Sequence, residues 1–160
     1  YDPERFGFQK AELARSDFTL DHSYDMKPFE GSDAPRNAIA GFIETPASFS
    51  VTSPSIEGPY VPYIYRSQTI TWESGGADVV WIELTLTNST GTAAEQTVVC
   101  TTSDTGSFSV PSYVWTSWPT GRQVNLMVSK ITESSALLPH NNSEARISSF
   151  YSVLGAGFSQ

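Results

Sequence analysis

The pattern of apolar and polar residues changes near residue 46. Before that point the apolar residues are scattered, whereas short runs that alternate between apolar and polar residues follow it, as in 48–52 and 69–72. Alternation with a period of two residues is typical of a strand with one buried face. We therefore predict an irregular N-terminal extension over residues 1–45 and a β-domain over residues 46–160.

The most regular alternation runs from Val80 to Thr87. Its apolar positions fall on one face of a strand, and the opposite face combines a tryptophan with polar residues. A strand of this kind belongs to an antiparallel sheet that packs one face on a core and leaves the other facing water. The inward residues are Val80, Ile82, Leu84 and Leu86, and the outward residues are Trp81, Glu83, Thr85 and Thr87.

Further short strands follow from the same periodicity and from the turn residues between them. Pro111 favours a single helical turn after it, because proline suits the first helical position. About seven strands without a long helix predict an all-β fold, an Ig-like antiparallel β-sandwich with Greek-key connections. The additional strands are Ser107–Val110, Gln96–Thr101, Arg122–Ile131 and Arg146–Val153, the last with a bulge at Phe150–Tyr151, and short strands are expected at Phe18–Leu20 and Ile39–Ile43.

The composition and the net charge limit the kinds of binding partner that this protein can have. The net charge of −8 and the pI of about 4.6 disfavour nucleic acid and anionic membranes as partners, because both are polyanions. The sequence also contains no apolar run long enough to predict a membrane span. Ser and Thr account for 39 residues and Lys for only three, a composition typical of secreted proteins. We therefore expect a secreted or cell-surface location.

Few residues are suited to catalysis or metal binding. The chain has one cysteine, Cys100, and two histidines, His22 and His140, which lie in no local motif with it. We expect both histidines to lie in loops. A Gly-x-Ser-x-Gly sequence is absent, and the acidic residues between 17 and 33 lack the EF-hand spacing. We predict no catalytic residues, no metal site and no cofactor.

Aromatic residues are the candidates for a binding site. They lie in a proline-rich stretch, on the outward face of the best strand, and in the short segment after Pro111. Exposed rings would suit a protein partner or a sugar. Alternatively, the same rings close the ends of the sandwich. The candidates are Tyr60, Tyr63, Tyr65, Trp81, Tyr113, Trp115 and Trp118.

Five sequence landmarks follow one another in the middle of the chain: Thr69–Trp72, a turn at Gly75–Asp78, Val80–Leu84, Val99–Cys100 and Asp104–Pro111. Together they resemble an Ig-like domain of secreted and lipid-anchored bacterial surface proteins, and the first three are also similar to fungal cell-wall Ig-like modules. The resemblance implies an Ig-like sandwich exposed at a cell surface. It implies no catalytic residues, because such modules are usually scaffolds or stalks.

Three functions are compatible with this sequence. The first is a non-catalytic extracellular module with a structural or adhesive role at the cell surface. The second is a subunit of an extracellular filament, assembled when residues 1–45 of one copy bind the sheet edge of another. The third is a carbohydrate-binding module that uses the aromatic residues. The expected partner is accordingly another protein, a second copy of the chain, or a glycan.

Overall fold

The fold is nearly all β, as predicted. A computed structural model describes residues 19–26, 41–137 and 144–160, and within these ranges the chain forms ten strands and one short 3-10 helix. The strands are β1 His22–Met26, β2 Gly41–Thr45, β3 Val51–Ser53, β4 Tyr63–Ile64, β5 Thr69–Trp72, β6 Val79–Thr87, β7 Ala94–Thr102, β8 Ser107–Ser109, β9 Gln123–Leu137 and β10 Glu144–Ser159, and the 3-10 helix is Ser112–Trp115.

The described strands form three sheets. The largest has five strands in the order β4-β10-β9-β6-β7, the second has three in the order β3-β5-β8, and β1 pairs with β2. All pairs are antiparallel except β4 with β10. Neighbouring strands of the five-stranded sheet are therefore often distant in sequence, which local periodicity does not reveal.

The core lies between the five-stranded and the three-stranded sheet. The alternation predicted for β6 is confirmed from Val80 to Leu86, because the inward residues are fully buried while Trp81, Glu83 and Thr85 are half-buried. The outward prediction for Thr87 is wrong: this residue is 3% exposed, the register shifts between Leu86 and Thr87, and the Thr87 hydroxyl donates a hydrogen bond to the Gln123 carbonyl oxygen. Val128 and its inward neighbours on β9 pack against Ile70 and Trp72 of the opposite sheet in one cluster. The inward residues of β6 and β9 are Val80, Ile82, Leu84, Leu86, Val124, Leu126 and Val128.

The strands β9 and β10 are longer than the sequence predicts. They pair without a register shift from Glu144 opposite Leu137 to Phe158 opposite Gln123, so the bulge predicted at Phe150–Tyr151 is wrong. The pair extends beyond β6, which begins at Val79 opposite Ile131. The residues beyond Ile131 are mostly polar, and their strand conformation is held by cross-strand pairing rather than by a core.

The hairpin of β1 and β2 packs on this extended part of β9. The Thr132 hydroxyl donates a hydrogen bond to the Glu44 carbonyl, and Thr132 shares the inward face of β9 with Val128. The strand expected at Phe18–Leu20 does not form at Thr19 or Leu20, and β1 begins only at His22. The described part of the N-terminal extension thus lies on the inward side of the sheet.

Two glycines on β10 allow loops to approach the inner face of the five-stranded sheet. A Cβ atom at Gly155 would lie 2.6 Å from the carbonyl oxygen of Ile56, and one at Gly157 would lie 2.7 Å from the Ile64 side chain. Both separations are shorter than van der Waals contact, so only glycine fits. The loop before β4 and the Ile64 side chain of β4 therefore cover this part of the inner face.

Candidate functional site

Two of the aromatic candidates are core residues. Trp115 and Trp118 are each 2% exposed, and their ring centroids lie 5.9 Å apart in an edge-to-face arrangement. The Trp115 indole N–H donates to the Arg66 carbonyl oxygen at 2.8 Å, and the Arg66 guanidinium donates to the Trp118 carbonyl oxygen. These two rings close one end of the sandwich and offer no face to a ligand, which matches the second of the two interpretations.

The four tyrosine candidates are exposed. Tyr60 is the most accessible at 85%, and Tyr63 lies beside Phe158 because β4 pairs with β10. Tyr65 precedes Arg66 in sequence, and Tyr113 belongs to the same 3-10 helix as Trp115. A ligand-binding role for the four tyrosines, Tyr60, Tyr63, Tyr65 and Tyr113, stays a prediction.

The last candidate, Trp81, lies on the outer face of the five-stranded sheet. It is half-buried and stands opposite Thr101 on β7 and Ser129 on β9. Its indole nitrogen is buried and has no hydrogen-bond partner. A buried donor without a partner is unfavourable, so polar interactions do not account for the position of this ring.

The outer face of the five-stranded sheet is organised in rows that run across the strands. Residues directly opposite one another in paired strands point to the same face. The central row reads Leu154, Met127, Glu83 and Val99, from β10 to β7. The next row reads Ser152, Ser129, Trp81 and Thr101, and beyond it Phe150, Ile131 and Val79 form a third.

Large apolar side chains stand exposed along the β10 side of this face. Phe150 is 72% exposed and Leu154 is 67% exposed, and Phe158 and Tyr63 continue the line at the β4 end. Single apolar residues are ordinary on protein surfaces, but several large ones aligned on one sheet face indicate an interaction surface. We name this surface, made of the outward residues of β4, β6, β7, β9 and β10, the outer face.

The two central rows of the outer face carry one charged residue. Glu83 is the charged residue of its central row, and its carboxylate accepts a hydrogen bond from the Thr85 hydroxyl at 3.2 Å. Glu95 on β7 forms an ion pair with Arg122 at 2.5 Å. Depletion of charge is typical of the cores of protein–protein interfaces.

A second concave surface lies between β2 and the end of β9. It is an open groove of about 660 Å³ lined in part by Phe42 and by the carboxylates Glu44, Asp78 and Glu133. One carboxylate oxygen of Asp78 already has a hydrogen-bond partner, because it accepts a hydrogen bond from the Glu133 backbone N–H at 2.8 Å. The groove lies beside the part of β9 that follows Ile131, beyond the start of β6 at Val79.

The inner face of β9 ends in a buried ion pair. Lys130 Nζ lies 3.3 Å from Asp104 Oδ2, and their side chains are 3% and 4% exposed. The Trp72 indole N–H and the Gly75 backbone N–H donate to Asp104 at 2.7 Å and 2.9 Å. Lys130 also donates to the Gly75 carbonyl oxygen, and its charge lies 5.0 Å from the Phe49 ring centroid. The cluster ties β9 to β5 and to the turn before β8.

Two of the residues considered for catalysis, His22 and Cys100, lie in different sheets. His22, predicted to lie in a loop, lies in β1 and is exposed, and His140 lies outside the described residues. Burial raises the pKa of the Cys100 thiol above its usual range. Among the described residues, no group of three or more His, Cys, Asp and Glu side chains could hold a metal ion, and no helix is long and apolar enough to cross a membrane.

Sequence reasoning missed the principal residues of the outer face, Phe150, Leu154 and Phe158. They occur at every fourth position of β10, while Tyr151 and Val153 fill the opposite parity. A strand with apolar residues on both faces must cover two surfaces, and this signal was available in the sequence. The predicted bulge explains the same pattern in a different way, because a bulge also shifts the phase of an alternation.

Comparison of the chain with protein-family models, with curated proteins and with solved structures finds no match. The Ig-like resemblance therefore stays a prediction. The surfaces of the molecule, above all the outer face, are the remaining indication of its function.

Proposed function

We propose that this protein is a non-catalytic extracellular module that has a structural or adhesive role at the cell surface and acts through its outer face. The observation that carries the proposal is the line of exposed apolar side chains formed by Phe150, Leu154 and Phe158. Removing such side chains from water on contact with a partner contributes roughly 25 cal/mol per Å² of apolar surface. An exposed line of this kind is therefore a source of binding energy.

Adhesion of protein-coated beads to the envelope of the producing cell tests this proposal. Replacing Leu154→Ser and Phe158→Ser together is expected to reduce adhesion at least about tenfold, because two exposed anchors are lost. Thr69→Ser and Ser109→Thr on the three-stranded sheet form the control, since both residues are exposed on the opposite side of the sandwich. Equal adhesion by all the proteins would contradict the proposal, as would a specific turnover that depends on one acidic residue or histidine.

An extracellular filament subunit is the second candidate, and the edge of the five-stranded sheet favours it. Strand β7 spans nine residues, is paired on one side by β6, and has no other strand of the described residues on its second side. It contains no proline or lysine, the residues that commonly block edge pairing. Deletion of residues 1–45 should abolish assembly if the arm of one copy binds this edge on another. Unchanged filaments from the truncated chain would contradict it.

Carbohydrate binding is the third candidate, and it depends on the four exposed tyrosines. Exposed rings can stack on sugar faces. Replacing Tyr60→Ser and Tyr113→Ser should then remove glycan binding on an array while leaving adhesion through the outer face intact. An array without any signal from the unaltered protein would contradict this candidate.

A further inference from the structure

Large and small side chains alternate along the outward positions of β10. The sequence of outward residues is Ser148, Phe150, Ser152, Leu154, Ala156 and Phe158. The large residues project from the sheet, and each small residue leaves a recess about 7 Å farther along the strand. Side chains of two packed sheets interdigitate, so this surface fits another surface with the same spacing displaced by one outward position.

We propose that the outer face binds a second copy of this chain in a symmetric dimer, an inference that rests on the proposed function and names its partner. The two-fold axis lies in the plane between the two outer faces and runs perpendicular to the strands. It passes over β10 at the position of Val153. Strand β10 then runs antiparallel over β10 of the second copy. Phe150 meets Ala156 of the second copy, Leu154 meets Ser152, and Phe158 meets Ser148.

The neighbouring strands fit the same axis. The register places Val153 opposite Val128, Val128 opposite Ile82, and Ile82 opposite Cys100, so one line crosses four strands at these inward positions. The outward residues on either side of the line come from the central row and from the row that contains Trp81. The facing pairs are Leu154 with Ser152, Met127 with Ser129, Glu83 with Trp81, and Val99 with Thr101. Two of these four pairs, Leu154 with Ser152 and Met127 with Ser129, set a large side chain over a small one, and Val99 with Thr101 sets two side chains of similar size together.

The charge of the outer face is compatible with self-association. The chain carries a net charge of −8, so two copies approach most easily where each is least charged. Glu83 is the charged residue in the two central rows, and across the axis it meets the ring of Trp81, whose edge carries positive partial charge. Two Glu83 carboxylates do not face each other in this arrangement.

The outer face is large enough for a specific dimer. Four strands spaced about 4.8 Å apart, with five outward residues each, cover about 600 Å² in each copy. The total of about 1,200 Å² reaches the lower limit of stable protein–protein interfaces. The described N-terminal hairpin packs on the inward side, at Thr132, and leaves this area open.

Exchange of one large and one small residue tests the dimer. Sedimentation of the 160-residue chain from about 1 µM to about 200 µM should show a monomer–dimer equilibrium. Ala156→Phe should raise the dissociation constant at least about 100-fold, because it collides twice with Phe150 of the other copy. Combining it with Phe150→Ala restores one large and one small residue at each contact and should restore the dimer. Ser107→Phe, on the exposed surface of the three-stranded sheet, is the control and should leave the dimer unchanged.

Each other outcome would overturn the inference. A chain that stays monomeric over the whole range leaves the outer face to a different partner, and the bead experiment then decides separately whether the proposed function stands. A dimer unaffected by Ala156→Phe uses another surface. A dimer that Phe150→Ala fails to restore does not have this axis.

Discussion

The inner and outer faces of the five-stranded sheet are built from the same strands and differ in what covers them. On the inner face Leu126 is fully buried beneath the three-stranded sheet, whereas Leu154 on the outer face is 67% exposed. Burying a leucine side chain contributes about 1.5–3 kcal/mol. The inner leucines have therefore contributed this energy to folding, while most of the Leu154 side chain remains in contact with water.

The largest effect is expected at the charged end of the inner face. Lys130→Met leaves Asp104 buried without its counter-charge, and removal of one partner of a buried pair costs about 3–5 kcal/mol in the free energy of unfolding. Arg146→Met serves as the matched control, because Arg146 is exposed and its carboxylate partner Glu144 lies 3.8 Å away. The control should change stability by no more than about 0.5 kcal/mol.

Urea unfolding measures the change in the free energy of unfolding. It is applied to Lys130→Met, to the control Arg146→Met, and to the double variant Lys130→Met, Asp104→Asn. The double variant should regain at least half of the lost stability, since asparagine carries no charge and still accepts a hydrogen bond from Trp72. A loss below about 1 kcal/mol for Lys130→Met would show that the pair does not stabilise this end of the sheet.

Replacing one leucine on each face of the five-stranded sheet compares how much the two faces contribute to the free energy of unfolding. Leu126→Ala should lower the free energy of unfolding by about 3 kcal/mol, because it leaves a cavity in the core. Leu154→Ala removes the same atoms from an exposed position and should cost no more than about 0.5 kcal/mol in the monomer. Thermal or urea unfolding near 1 µM, about the concentration at which the dimer is least populated, gives both values. Similar losses at the two positions would remove the distinction between the faces.

The smallest effect concerns two adjacent residues of β7. Burial raises the pKa of the Cys100 thiol, so the folded chain holds this proton to higher pH than the unfolded chain does. The rate of alkylation of Cys100 should therefore rise with a midpoint above that of the urea-unfolded protein. The corresponding contribution to stability is present below the unfolded pKa and is lost as the pH rises through the folded pKa.

The matched control moves the single thiol of the chain from position 100 to position 99, on the outer face of the five-stranded sheet. In a Cys100→Ser background, Val99→Cys exposes the thiol on the outer face, where Val99 is exposed. Its alkylation should follow the pH profile of the unfolded chain. Identical profiles for the two thiols would contradict the difference in burial.

The local pattern of apolar and polar residues was sufficient to predict a strand and its buried side chains where the strand has one apolar face. The bounds of β5 were predicted at both ends, β6 at one end, and the inward residues of β6 were predicted completely, because their alternation records burial on one side. The pairing of β4 with β10 was not predictable in this way, since Tyr63 and Phe158 are far apart in sequence and meet only in the folded sheet. The length of β9 was underestimated for the same reason.

The aromatic residues show a second limit. Their number and positions were visible in the sequence, but Trp115 and Trp118 became core while Tyr113, in the same short segment, remained exposed. Burial of a ring in an irregular segment depends on which neighbours the chain brings to it. Here Arg66, distant in sequence, supplies the hydrogen bonds that allow the Trp115–Trp118 pair to be buried.

The sequence by itself determined the all-β class, the strand periodicity of the central domain, and the net charge that disfavours polyanionic partners. Those properties follow from residue type and short-range order. Only the tertiary structure decided that β10 runs without a bulge at Phe150–Tyr151, and that the described residues leave Phe150 and Leu154 exposed on one of its faces. The physical reason is that alternation reports which residues share a face, whereas the cover over each face comes from distant segments of the chain.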